Sequence, residues 1–384
     1  MIRRICKWIV FKWLYPVCYY LGSRRKIKQK KVIFVENHVE QMTNNFILLY
    51  NSLKQKNYNI SVHYLRISVS SWGKIILRTV ALIWDMSNAK CVFLSESNSV
   101  FGAFAMRKDT KLVQLWHACG AFKKWGYSVA DKTFGDDKKT LDAYSGHRNY
   151  DLVSTSGKAV CWAYEEAFGL QKKPGIVKPL GVSRTDAYFS EDRRREAYFR
   201  LEGLGIPKGN RKVILYAPTF RGEIRHAKAP DKLNLEVLYR LKKEYIVLIK
   251  QHPFIKKPMK IQEQYQDFCM EITEEMSIED LLMVADICVT DYSSVVFEYS
   301  LMEKPMIFFT YDLEEYYDER GFYYPYKNFV PGPIVKTTKE LVDYIEKIEE
   351  FDMERIRVFR QKYMSGCDGH STERILKNVL EETF

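Results

Sequence analysis

Nine short apolar runs, spaced by longer amphipathic stretches, leave this 384-residue chain few architectures to choose from. The first half carries them at 32–35, 60–65, 90–94, 111–116 and 151–155, the second at 212–217, 245–250, 287–290 and 305–309. A strand that is apolar at nearly every position has both of its faces covered, which is the condition of a parallel sheet flanked by helices. Alternation with helix-like stretches makes the chain α/β, and its length asks for two doubly wound units. The boundary is expected within 191–210, where the charged run Glu191-Asp-Arg-Arg-Arg-Glu leads into Gly203-Leu-Gly-Ile-Pro-Lys-Gly-Asn. Three segments are therefore expected: 1–31, 32–200 and 201–384. Functional loops are expected at the carboxyl ends of the strands, in a cleft between the two units.

With 46% hydrophobic residues the chain can fill two cores, and aromatics at 14% argue against disorder. Sixty basic residues against 48 acidic give a net charge of +12. Such an excess suits polyanionic partners, be they nucleic acid, phosphorylated substrates or an anionic membrane, and equally suits a merely basic enzyme. The eight cysteines form no CxxC pair or zinc-spaced cluster, and a reducing compartment is expected. Residues 1–16 are apolar but interrupted by Arg3, Arg4, Lys7 and Lys12, and the uncharged run 14–22 is too short for a core of roughly 30 Å. At helical spacing Ile2, Ile5, Cys6, Ile9 and Trp13 share a face opposite Arg3, Arg4 and Lys7, while Trp8, Phe11 and Leu14 fall outside it. Followed by the basic run 23–31, this predicts a helix lying on an anionic membrane surface; packing on the protein itself is the alternative.

Four stretches carry candidate chemistry. In Gln114-Leu-Trp-His-Ala-Cys-Gly, followed by Lys123 and Lys124, His117 closes a strand where a histidine can act as a general base. Gly120 would allow close backbone approach to a ligand, and the two lysines would attract phosphate. In Tyr216-Ala-Pro-Thr-Phe-Arg221, Pro218 ends the strand and exposes Thr219 and Arg221, whose planar fork suits two phosphate oxygens. An ordinary strand-to-loop turn explains that stretch equally well. His252 precedes Pro253 at another strand end, with Lys250 nearby, and can donate to a non-bridging oxygen or a leaving group. Finally Asp291-Tyr-Ser-Ser294 joins a buried strand to an apolar helix, putting Ser293 and Ser294 where free N–H groups favour anions. Plain helix capping is the competing account of Asp291 and both serines. The tyrosines of 311–324 can stack on a base or line a polyol channel, or simply pack.

Taken in order, these segments resemble the CDP-glycerol glycerophosphotransferase family, the teichoic-acid polymerases and primases. The resemblance rests on Trp116-His117 with Lys123-Lys-Trp-Gly126, Tyr216-Ala-Pro-Thr-Phe-Arg221, His252-Pro253 and Ala285-Asp286 with Thr290-Asp-Tyr-Ser-Ser294. It continues through Lys304-Pro305, Tyr311-Asp312, Arg320-Gly-Phe-Tyr323 and Asp368-Gly-His-Ser-Thr-Glu-Arg374, covering about residues 90–376. It implies two Rossmann-like, GT-B-like domains, an N-terminal acceptor-side one and a C-terminal CDP-alditol-binding one. It also implies a peripheral enzyme on the cytoplasmic face of the membrane, working without an obligatory metal or other cofactor. An acceptor hydroxyl attacks the donor's β-phosphate and CMP leaves. By the same resemblance His117 is the base and His252 the phosphate or leaving-group stabiliser. Thr219, Arg221, Asp291, Ser293 and Ser294 are donor-binding, and Gly120, Lys123, Lys124, Lys250 and Arg320 are further substrate-binding candidates.

Where a common family form has Trp-His-Gly-Thr-Pro, this chain has Trp116-His-Ala-Cys-Gly, a change beside the expected base that bears on the acceptor or alditol accepted. The long N-terminal extension of many polymerases is absent, which leaves room for a single addition or a short polymer. The expected partners are CDP-glycerol, or alternatively CDP-ribitol, a lipid-linked acceptor and an anionic membrane. A sugar transferase of similar architecture is the nearest rival enzyme. A non-catalytic nucleic-acid binder finds no support in an Arg/Lys-rich recognition helix or an aromatic RNA-binding signature.

Overall fold

The computed structural model describes residues 2–132, 135–206, 208–222, 226–257 and 259–380, apart from the side chains of 2–3 and 317–320. All nine expected strands are present. They are β1 (Lys28–Glu36), β2 (Asn59–Tyr64), β3 (Ala89–Leu94), β4 (Lys111–Gln114), β5 (Leu152–Ser154), β7 (Lys212–Ala217), β8 (Tyr245–Ile249), β10 (Ile287–Thr290) and β11 (Met306–Phe309). Three more, β6 (Val177–Lys178), β9 (Cys269–Glu271) and β12 (Ile334–Val335), are short edge strands with too few residues to register as apolar runs.

The strands form two six-stranded sheets, parallel throughout, ordered β2-β1-β3-β4-β5-β6 and β12-β11-β10-β7-β8-β9. Helices cover both faces, so all of β8 and β11 and most of β1 are buried. In the first sheet Val32 lies opposite both Ile60 and Cys91, and its core gathers Phe34, Phe46, Phe93 and Val113. Each sheet reverses its winding direction once: the first between β1 and β3, the second between β7 and β10. At such a reversal the loops leaving two neighbouring strands run in opposite directions, opening a crevice at the carboxyl edge.

The chain divides into one unit of Met1–Asp186 with Ser365–Phe384 and another of Ala187–Met364. This differs from the expected 32–200 and 201–384 at both ends. The helix Glu191–Gly203 joins the second unit because Arg193 and Arg200 both pair with Asp280, whose side chain is fully buried there. The last helix, Ser371–Leu380, returns to the first unit, where Ile375, Leu376 and Val379 enter the core. Its first turn is caught by Asp186, whose carboxylate accepts the N–H groups of Ser371 (3.0 Å) and Thr372 (2.7 Å). Arg374 reaches the Leu180 carbonyl at 3.1 Å. The Asp368–Arg374 motif is thus a docking device for the chain's end.

Residues 1–31 are likewise not a separate segment. Strand β1 begins at Lys28, and Lys31 is buried with its ammonium on Asp85 (2.5 Å) and Asn88 (2.8 Å). Ahead of it, helices Ile2–Ile9 and Tyr15–Ser23 flank a π-helical turn, Val10–Leu14. Of the face that regular helical spacing predicts, Ile5, Ile9 and Trp13 are exposed, and Trp8 and Leu14, placed outside it, are exposed as well. Tyr15, Tyr19 and Gly22 face the protein: Gly22 meets Ser87, and Tyr19 stacks on Phe104 at 4.3 Å. Ile5, Trp8, Ile9, Trp13, Leu14 and Val17 stay exposed, as do Leu77 and Trp84 of helix Trp72–Met86. Among the described residues no helix is long and apolar enough to cross a membrane.

Gly181 sits where the returning end crosses the first unit, at φ +95, and a Cβ there would overlap the Gly366 carbonyl and the Ser371 hydroxyl. Gly181→Ala is expected to cost at least about 2 kcal/mol through strain and overlap together. Thermal unfolding of the full chain should show this, with the helix Ser371–Leu380 becoming the first site of limited proteolysis.

Candidate active site

In the first unit His117 leaves β4 just past its last paired residue. Trp116, which precedes it, has φ +59, and this left-handed step ends the strand two residues short of the expected 116. A tryptophan holds such a conformation only when its surroundings enforce it. Gln114, fully buried, supplies that force: its Oε1 accepts the Trp116 N–H at 2.8 Å. Its Nε2 donates to the Glu96 carbonyl (3.1 Å) and to the Tyr150 hydroxyl (2.9 Å). Tyr150 in turn meets His147 Nδ1 at 3.1 Å, and His147 stacks on Phe168 at 4.5 Å. Burial pushes the His147 pKa down to about 4, so this histidine is a neutral structural element. Sequence reasoning missed this scaffold, because residues 114, 147 and 150 become neighbours only when β4 and β5 pair.

The step at Trp116 brings His117 Nδ1 to 3.2 Å from the Ser95 carbonyl. A carbonyl only accepts, so Nδ1 carries the hydrogen and Nε2 keeps the lone pair. The residue is exposed to solvent, yet protein atoms crowd around its ring. Burial pulls the pKa below its ordinary value; the Ser95 carbonyl and Glu96 push back, and Arg184 adds to the lowering. His117 is therefore a neutral imidazole with its accepting nitrogen unbonded to Ser95, the form a general base requires. Gly120 does take a left-handed conformation, at φ +63, but its N–H bonds Ser156 Oγ (3.0 Å) and its carbonyl accepts from Tyr164 (3.0 Å). Its freedom thus shapes the loop. Lys123 and Lys124 are half-buried beside Trp125.

In the second unit the winding reversal brings together the ends of β7 and β10, with β11 alongside. Here Arg221 is enclosed by acceptors. Its Nη1 donates to Asp291 (2.9 Å) and to the Thr219 carbonyl (2.9 Å), and Nε and Nη2 together grip Asp312. Burial works against the guanidinium's charge, and Asp291 and Asp312 outweigh it, raising the pKa. The fork expected to hold phosphate is directed at two carboxylates. Asp291 also accepts from the Thr219 N–H (2.8 Å) and hydroxyl (2.9 Å) and from the Tyr292 N–H (2.6 Å). Tyr292 completes the ring, donating to Asp312 at 2.9 Å while stacking on Tyr316 at 3.9 Å. Thr219, Arg221 and Asp291, expected to touch the donor, thus tie three strand ends together. Tyr292 and Asp312, not singled out from the sequence as site residues, belong to the same knot.

Ser293 and Ser294 lie half-exposed just beyond it. Ser293 Oγ accepts the Val295 N–H at 3.4 Å, whereas Ser294 makes no side-chain cap. At the end of β8, Lys250 is drawn to the carbonyls of Thr273 and Met276, so it braces that loop. His252 packs on Phe220 and Phe254, and its Nδ1 accepts the Phe254 N–H at 3.2 Å. That bond leaves the hydrogen on Nε2, the opposite tautomer to His117. The Arg320 side chain lies outside the described residues. Among those described, no three His, Cys, Asp or Glu side chains gather as a metal site.

Two units, each a parallel sheet flanked by helices, define a GT-B-like α/β fold. The model of the family described as CDP-Glycerol:Poly(glycerophosphate) glycerophosphotransferase matches residues 17–381, and the chain belongs to that family. The teichoic acid ribitol-phosphate primase of Bacillus spizizenii is 35% identical over 363 residues, covering 92% of each chain. The same organism's teichoic acid poly(ribitol-phosphate) polymerase is also 35% identical, over 92% of this chain but 56% of its own. The teichoic acid glycerol-phosphate primase of Bacillus subtilis is 30% identical over 79% of this chain and 77% of its own. Structures of the wall teichoic acid polymerase TagF share the fold, with a TM-score of 0.74 at 20% identity over 98% of this chain and 95% of that one.

Because burial dominates at His117, its imidazole is expected to titrate below the ordinary histidine value of about 6.5. It therefore remains an unprotonated base further into acid than a free histidine does. NMR titration of the His117 ring checks this, and an apparent pKa above that value would mean Ser95 and Glu96 prevail.

Proposed function

We propose that this protein transfers an alditol phosphate from a CDP-alditol to a hydroxyl of a teichoic-acid acceptor, releasing CMP. The observation carrying this reading is the pair of opposite histidine tautomers. His117 Nε2, kept as an acceptor by the Ser95 carbonyl, takes the proton of the attacking hydroxyl. The hydroxyl oxygen bonds to the alditol-bearing phosphorus of the donor, and the bond from that phosphorus to the CMP oxygen breaks. His252, with its hydrogen on Nε2, donates to the phosphate or to the departing CMP oxygen. Ser293 and Ser294 offer hydroxyls to the donor phosphates from the edge of the Arg221 knot, which holds their loop still. In this reading Arg221, Thr219 and Asp291 are positioning residues.

Both alditols occur among the relatives' names, and glycerol is the donor expected from the sequence. Identity of 35% to a ribitol-phosphate primase against 30% to a glycerol-phosphate primase favours ribitol. A panel of CDP-glycerol, CDP-ribitol, UDP-sugars and GDP-sugars, assayed for the nucleotide released, tests the reading. CMP from a CDP-alditol is expected, with His117→Ala and His252→Ala each at least about 100-fold slower. Release of a nucleoside diphosphate from a sugar donor instead would indicate sugar transfer.

The exposed apolar side chains of the N-terminal helices and of helix Trp72–Met86, on which helix Tyr15–Ser23 packs, support peripheral binding to an anionic membrane, where a lipid-linked acceptor would reside; Lys12 and Arg24 are exposed on the same N-terminal segment. Flotation with vesicles containing phosphatidylglycerol should carry the protein, and a Trp13→Glu/Leu77→Glu variant should stay behind. Equal behaviour of the two proteins would remove this surface from membrane binding.

A further inference from the structure

Beside His117, at the winding reversal of the first sheet, the ends of β1 and β3 carry a second group of polar side chains. Asn37 and Asn98 are buried and act as a rivet between the two loops. Asn98 Nδ2 donates to Asn37 Oδ1 at 2.9 Å, and Asn37 Nδ2 donates to the Ser97 carbonyl at 3.2 Å. With the backbone pinned this way, the residues that flank the rivet point outward. His38 is 47% exposed and Glu96 32% exposed, enough for a ligand to reach both. His38 Nδ1 meets Ser68 Oγ at 2.5 Å, which fixes the ring, and its Nε2 lies 3.9 Å from Glu96 Oε2.

That separation is too long for a direct hydrogen bond, yet a hydroxyl oxygen about 2.8 Å from each atom fits between them. A carboxylate accepts an O–H strongly and an imidazole nitrogen offers the complementary contact, so the pair suits a polyol. A phosphate group would meet the negative charge of Glu96 and be disfavoured. Glu96 also shares its support with the base: the Gln114 amide that accepts the Trp116 N–H donates to the Glu96 carbonyl. The carboxylate and His117 therefore stand on one rigid platform, and the Glu96 charge is felt at the His117 ring.

We propose that Glu96 and His38 form a polyol subsite that holds a hydroxyl of the acceptor's terminal alditol beside the hydroxyl that His117 deprotonates. The subsite rests on the phosphotransfer reading above and names the part of the acceptor it recognises. It leaves the donor's contacts in the other unit untouched.

The test uses the full chain, whichever CDP-alditol it turns over, and an acceptor ending in an alditol phosphate. Glu96→Ala and His38→Ala should each raise the acceptor KM about tenfold or more with the donor KM unchanged. The isosteric Glu96→Gln should fall between wild type and Glu96→Ala, because an amide oxygen still accepts one hydroxyl. An unchanged acceptor KM in both alanine variants would overturn the subsite while leaving the phosphotransfer reading standing. So would a donor KM that rises in step with the acceptor KM. Wild-type protein that releases no CMP from any CDP-alditol would overturn the reading itself, and the subsite with it.

Discussion

Each sheet of this protein reverses its winding direction once, and its chemistry depends on that reversal. Parallel strands send all their carboxyl ends to one edge, and the reversal parts two adjacent loops there. In the first sheet the loops after β1 and β3 diverge, with His117 emerging from β4 next to them. In the second sheet the loops after β7 and β10 diverge, and Arg221 and Asp291 stand at their roots. Loops that part in this way have little to pack against, so something else must hold them.

Buried polar groups do the holding. Gln114 accepts the N–H of one loop and donates to the carbonyl of another, and so maintains a left-handed tryptophan that would otherwise relax. Arg221 does the same with charge, joining β7, β10 and β11 through two carboxylates. Such a network is costly if any member is missing, because each remaining charge would be buried without its partner. It is correspondingly rigid when complete. At its margin, Ser293 in one unit and His117 in the other are oriented by a hydrogen bond while remaining partly open to solvent. A single backbone contact then decides what each histidine can do: a carbonyl at Nδ1 makes an acceptor of His117, and an N–H at Nδ1 makes a donor of His252.

Much of this was legible in the sequence, and the exceptions have physical causes. The central strands announced themselves because burial on both faces leaves no room for polar residues, whereas the short edge strands β6, β9 and β12 gave too little signal. The motifs at 117, 219–221, 252 and 291–294 lie at strand ends as expected. What residue type did not disclose was whether a polar group faces a ligand or its own protein. Arg221 reads as a phosphate clamp until Asp312, 91 residues away, is found in its fork. Lys31 reads as part of a basic tail until Asp85 is found at its ammonium. The N-terminal apolar surface is broader than regular helical spacing indicates, because Trp8 and Leu14 lie exposed along with Ile5, Ile9 and Trp13.

The sequence by itself determined the class of fold, the strands that form the cores and the set of residues from which an active site can be drawn. Those follow from local pattern, since apolar runs, a proline after a strand and a histidine at its end are all read within a few residues. Only the tertiary structure decided the order of the strands, and with it which loops part. It also decided which carboxylates neutralise Arg221, which nitrogen of each histidine bears the hydrogen, and that the last helix closes the first unit. These depend on pairings between residues dozens to nearly two hundred positions apart, and no local pattern encodes the partner of a buried charge.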